Sequence, residues 1–191
     1  MMEGGYVPKT LLIVIVSMAG LVGTVSAPAA AAKTPRVCQF PGPEEGCKDP
    51  RGRWILEWRE KPSDEGHHEL WVRSIPAATR TRLLEFDRSV DILWSPDGHA
   101  VAIADYSGSS DTTLYVASED DWTRLVNVED RLRASLGSVR AIYQNGHRYF
   151  EPMNWPRPDQ LLFRVRAYDS QQYVGLFRYD LTGKVSRAAK R

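Results

Sequence analysis

From residue 51 onward, apolar positions recur at every second residue in short runs, the period of a half-buried β-strand. Trp54, Leu56 and Trp58 alternate with Ile55 and Glu57. A polar loop, 60–68, leads to Leu70-Trp71-Val72, and 79–86 reads as a further strand. Residues 91–118 read as one β-hairpin, in which Val101 and Ile103 alternate with small residues and Leu114-Tyr115-Val116 returns after a polar loop. Its turn is Trp94-Ser95-Pro96-Asp97-Gly98, where Pro96 presets φ and Gly98 can take φ > 0. Trp122-Thr123-Arg124-Leu125 reads as the outer strand of this unit. A third unit begins near Phe150, with Trp155-Pro156-Arg157-Pro158-Asp159 as its turn, strands at 161–165 and 175–179, and a closing turn at 181–184.

The units resemble one another. One uniform displacement carries Asp97 onto Asp159, Val101 onto Phe163, Ile103 onto Val165, Leu114 onto Leu176 and Tyr115 onto Phe177. Trp94 meets Trp155 with one residue inserted. The first and second units lie about 44 residues apart, which suits a four-stranded propeller blade. The longer second interval contains an insertion, 126–147. Part of it reads as a helix, with Asn127 as N-cap, Glu129 and Asp130 in the first turn, Leu125, Val128, Leu132 and Leu136 on one side, and Gly137 as the stop. This helix is expected on a sheet edge.

The Trp94-Ser95-Pro96-Asp97-Gly98 turn, the alternating strand after it and the Leu114-Tyr115-Val116 strand together resemble the repeat of TolB-type β-propellers, bacterial relatives of WD40 blades. In the third unit Trp155 and Asp159 match, while Gln160 stands where the repeat has glycine. The first unit has no Pro-Asp-Gly turn. The resemblance implies an all-β fold, a partial β-propeller of about three antiparallel blades with one short inserted helix. It also implies a periplasmic protein that works through protein contacts. Closed propellers have about 4–8 blades, so three would leave sheet edges open. Three arrangements stay open: an array left open or capped by the insertion helix and the N-terminal arm, a ring completed by a homodimer, or a curved sheet, sandwich or barrel that borrows the hairpin.

The amino terminus reads as a signal peptide, 1–32, with Lys9 before an apolar run and small residues at Ala30-Ala31-Ala32. An uncleaved leader, the alternative, would be the only route to a membrane. Residues 33–50 form a Pro/Gly-rich arm that carries both cysteines, Cys38 and Cys47. In an oxidising compartment these are expected to pair as a structural disulfide. The chain is therefore expected to be secreted or periplasmic. Residues 51–191 are the propeller-like domain.

Formal net charge is +1, and loss of Glu3 and Lys9 with the leader leaves the chain near neutral. That argues against nucleic acid as a partner. Six Trp and eight Tyr are many for 191 residues. Trp54, Trp58, Trp71, Trp94 and Trp155 are expected between blades. Trp122, after Glu119-Asp120-Asp121, is the candidate exposed aromatic for ligand binding. Asp97 and Asp159 read as turn residues. Asp105 with Asp111 is too sparse for a calcium loop. His67-His68 with Glu65 and Glu69 is a poor metal set, because neighbouring strand residues point to opposite faces. There is no G-x-S-x-G elbow, phosphate-binding glycine loop or H-E-x-x-H, and no cofactor is expected. The expected role is a non-enzymatic binding or assembly module of the cell envelope, contacting another protein through blade loops or open edges. A glycan or small-ligand binder, or a hydrolase with a loop-assembled site, are the alternatives.

Overall fold

A computed structural model describes residues 37–61, 66–136, 139–169 and 172–188. The expected leader, Glu65 of the histidine set and the Gly137 helix stop lie outside these residues.

The arm supplies two short strands, β1 (Val37–Phe40) and β2 (Gly46–Lys48). The first blade runs β2, β3 (Trp54–Glu60), β4 (His68–Ser74), β5 (Arg80–Phe86), each strand antiparallel to the next. The second runs β6 (Val90–Trp94), β7 (Ala100–Asp105), β8 (Asp111–Ser118), β9 (Asp121–Asn127), again antiparallel. Two helices follow, α1 (Val128–Leu136) and α2 (Arg140–Tyr143). The third blade is β10 (His147–Arg157), β11 (Gln160–Tyr168), β12 (Tyr173–Asp180), β13 (Val185–Arg187). The chain thus forms an all-β, propeller-like array of three antiparallel blades with an inserted helical segment. Its sheets do not close on themselves.

Two cores lie between the blades. Leu56, Leu70 and Val72 of the first blade meet Val90, Ile92, Trp94, Val101 and Ile103 of the second. On the other side, Leu93, Ala102, Ala104, Leu114 and Val116 meet Phe150, Leu161, Phe163 and Val165 of the third. The expectation of a half-buried strand at Val101 and Ile103 is corrected here. Nearly all of β7 is buried on both faces, because the middle blade of an array is covered twice. Its alternation separates large side chains facing the first blade from alanines facing the third.

Both turn tryptophans pin a blade to the one before it. Trp94 Nε1 donates to the Cys47 carbonyl at 3.1 Å, and Trp155 Nε1 donates to the Leu93 carbonyl at 3.1 Å. Each accepting carbonyl lies on an inner strand of the preceding blade, so one local motif recurs as one tertiary contact. Asp97 holds the first turn, its carboxylate accepting from Ser95 Oγ at 2.7 Å and from His99 N at 3.2 Å. Gly98 has φ +69°, and a Cβ there would run into the buried Asp49 carboxylate of the first blade's entry turn. That carboxylate accepts from Trp54 N at 2.7 Å and Arg51 N at 3.0 Å.

Several expectations need correction. Residues 91–118 form three strands rather than one hairpin, because β6 pairs with β7 across the Trp94–Gly98 turn. In the third blade Trp155, Pro156 and Arg157 continue β10, and only Pro158-Asp159 separates it from β11. Asp159 is exposed and pairs with Arg157 at 3.3 Å. The uniform displacement between units also fails in register: Ile103 pairs with Tyr115, whereas Val165 pairs with Gly175 and Phe163 with Phe177. A two-residue slip preserves the faces, which is why the buried pattern matched regardless.

Neither the helix nor the arm caps an end of the array. Asn127 Oδ1 accepts from Glu129 N at 2.8 Å and Asp130 N at 3.3 Å, the N-cap geometry. Val128 and Leu132 then bury into the core between the second and third blades. The arm joins the first two blades: β2 lies on β3, β1 lies on β6, and Cys38 is bonded to Cys47 across them.

Candidate functional site

Every interior blade face is matched by an apolar partner, so the exceptions at the two ends of the array carry the information. The leading face of the first blade presents Glu57 and Arg59 from β3, Glu69, Trp71 and Arg73 from β4, and Arg80, Arg82 and Glu85 from β5. These neutralise one another. Arg73 Nε and Nη2 donate to Glu57 Oε1 at 2.9 and 2.6 Å. Arg82 Nη1 reaches Glu69 Oε1 at 3.0 Å and Glu85 Oε1 at 2.8 Å. Lys61 adds a contact to Glu85 at 3.1 Å, and Trp71 Nε1 donates to Glu69 at 3.0 Å. The Arg73 hydrogen bonds hold the Glu57 carboxyl below the usual carboxylate range. Exposed pairs of this kind add little stability each, but they keep the face wetted.

The trailing face of the third blade is built otherwise. Leu70 and Leu114, on the trailing faces of the first two blades, are fully buried, whereas Leu176 is 37% exposed and Val174 53%. Beside them, His147, Tyr168 and Tyr149 stack in sequence, with ring centroids 5.4 Å apart at each step. Arg166 lies over Tyr149 at 5.7 Å. Glu151 is the acid of this face, bonded to Arg164 at 2.7 Å and in contact with Arg166.

Trp122, expected as an exposed aromatic, is only 7% exposed. Its ring packs edge-on against Trp54 at 5.3 Å and Trp94 at 6.0 Å. The acidic run before it forms the β8–β9 turn, and the next residue on β9 already faces the first blade. No stacking surface is available at that ring.

The histidines lead to different places. His67 Nδ1 lies 2.5 Å from Asp87 Oδ1, and His68 packs on Trp58 and Phe86. His99 contacts Glu119, which also accepts from Trp54 Nε1 at 3.2 Å and pairs with Arg53 at 3.0 Å. Asp105 accepts from Ser107 N and Oγ, and Asp111 lies 3.9 Å from Arg148. Among the described residues, no group of three or more His, Cys, Asp or Glu converges as a metal site.

Sequence reading did not single out the two end faces. The signal was present: the same strand face reads Val101 and Ile103 in the second unit but Glu57 and Arg59 in the first. The aromatic stack was not legible, because His147, Tyr149 and Tyr168 meet only through the β10–β11 register.

No protein-family model matches the sequence, and no curated protein matches it. Among solved structures, the chain is similar to the β-propeller domain of the Trilobed protease from Pyrococcus furiosus, which has an open velcro topology. The identity is 13% and the TM-score 0.50, over 76% of this chain and 42% of that one. The chain therefore spans less than half the length of that structure. The likeness is one of fold.

Proposed function

We propose that the chain is a non-catalytic binding module whose working surface is the trailing face of its third blade. The observation that carries this reading is the exposure of Val174 and Leu176 at positions that are buried between blades elsewhere in the array. The partner presents an apolar β surface, as a neighbouring blade would. A second copy is a poorer fit. Its leading face offers the ion pairs of Glu57, Glu69 and Glu85 rather than an aliphatic ridge, so a head-to-tail ring would take these charges out of water at a desolvation cost that their pairing only partly offsets.

Export and a role in the cell envelope belong to this proposal. Their support is the Cys38–Cys47 disulfide, a bond that persists in oxidising compartments. The test compares the intact chain with a Val174→Asp/Leu176→Asp variant in pull-down from an envelope extract, with melting curves as a fold control. Specific capture by the intact chain alone is the expected result. Recovery of nothing specific, or equal capture by both, would overturn the reading.

A second reading has one observation in its favour. The stack of His147, Tyr168 and Tyr149, with Tyr168 44% exposed, is a platform suited to a sugar ring. Saturable tyrosine fluorescence changes with oligosaccharides, lost in Tyr168→Ala, would support it. A flat response across a glycan panel would remove it.

A further inference from the structure

At the outer rim, a cavity of about 280 Å³ opens between the second and third blades, apart from the trailing face. Strand β9 supplies Arg124, helix α1 supplies Arg131, and β12 with its following turn supplies Tyr179, Thr182 and Gly183. Elements far apart in sequence thus bring two guanidinium groups to one concavity. Both act on the same phenol. Burial pushes the Tyr179 hydroxyl up, and Arg131 and Arg124 are the charges that oppose the shift. The Arg131 guanidinium also lies over the turn, 3.8 Å from where a Cβ on Gly183 would stand.

Neither arginine has a carboxylate within 4 Å among the described residues, in contrast to Arg73, Arg82, Arg133, Arg164 and Arg166. Arginine stays charged at any physiological pH. Two such groups lining one concave site favour an anion placed between them. Their forked N–H groups match the two oxygens of a carboxylate or phosphate, and the Tyr179 hydroxyl adds a neutral donor. Asp120 and Asp121 also line the cavity. The Asp121 carboxylate accepts from Thr123 N at 3.0 Å and Oγ1 at 2.5 Å, bonds that together with the Arg124 charge hold it below the usual carboxylate range. These acids limit the anionic charge the site accepts, which favours a single oxyanion over a polyanion.

We propose that this rim cavity binds the oxyanion end, carboxylate or phosphate, of a small ligand, held by Arg124 and Arg131. The test follows the arginine Nε–H resonances of the full mature chain by NMR. Inorganic phosphate and N-acetylglycine are titrated separately, against chloride at equal ionic strength. Saturable shifts at Arg124 and Arg131 with at least one probe are expected, and the probe that gives them identifies the class of oxyanion. Arg131→Gln and Arg124→Gln should each weaken that response at least tenfold while the melting temperature is unchanged. No saturable response beyond chloride, or full binding retained in either variant, would overturn the proposal. The Val174→Asp/Leu176→Asp variant should bind the probe as the intact chain does.

Discussion

The two ends of the array are made from the same kind of sheet and finished differently. On the first blade, positions that would face a preceding blade carry Glu57, Glu69 and Glu85 interleaved with Arg73, Arg80 and Arg82. On the third, positions that would face a following blade keep Val174 and Leu176 beside a stack of aromatic rings and the Glu151–Arg164 pair. Terminal units of a repeat array need a polar outer face to stay soluble. The first blade meets it with ion pairs alone, whereas the third combines the Glu151–Arg164 pair with exposed Val174 and Leu176. The two ends thus differ by a few side chains on one face of otherwise similar blades.

The third blade is anchored to the second by its own contacts. Trp155→Ala tests this most severely. Loss of a buried indole and its bond to the Leu93 carbonyl should cost about 3–5 kcal/mol, read as a fall in the denaturant midpoint. An unchanged midpoint would mean that the third blade is held by something other than this anchor. Next comes the tie at the other end. Cys38→Ser opens the link between β1 and β2 and should cost about 2–3 kcal/mol by loop entropy, measured the same way and matched by reduction of the intact protein.

Exchanging the characters of the two faces should change association more than stability. Val174→Asp with Leu176→Asp should shift the folding free energy by no more than about 0.5 kcal/mol. Glu57→Leu with Arg73→Leu, costing about 1 kcal/mol or less, should turn the closed face into an open one. Light scattering is expected to report concentration-dependent self-association for the second pair alone. If it remains monomeric, the ion pairs are not what closes that end.

The smallest effect is in pH. Glu57 titrates below its unfolded value, so its contribution is complete above about pH 5. It is lost as pH falls through the depressed folded value. Asp91, beside Tyr106, is pushed up by burial. It penalises the native state above its raised value, and acid relieves that penalty. Glu57→Gln should therefore flatten the acid limb of the stability curve, while Asp91→Asn should raise the plateau near neutrality. Both changes should be about 1 kcal/mol or less.

The blades were legible in the sequence because a period-2 pattern survives any even slip in register. This is why Phe163 and Val165 were recognised as core although their partners on β12 were misaligned. The disulfide was legible because two cysteines in one short arm have few other uses. Trp122 was misread because a preceding acidic run resembles a solvated loop, whereas the chain turns at Glu119-Asp120 and the next strand points inward at once. The rim cavity was out of reach. Arg124, Arg131 and Tyr179 come from a strand, a helix and another blade, and each alone reads as an ordinary surface or core residue.

The most direct test of the claim that the array has one closed and one open end is site-specific photo-crosslinking in cells that make the protein. A photoreactive residue is placed at Leu176 in one variant and at Arg73 in another. A discrete adduct with a different protein from position 176, and none from position 73, is the predicted result. Adducts from position 73, or only dimers of the chain from position 176, would contradict it.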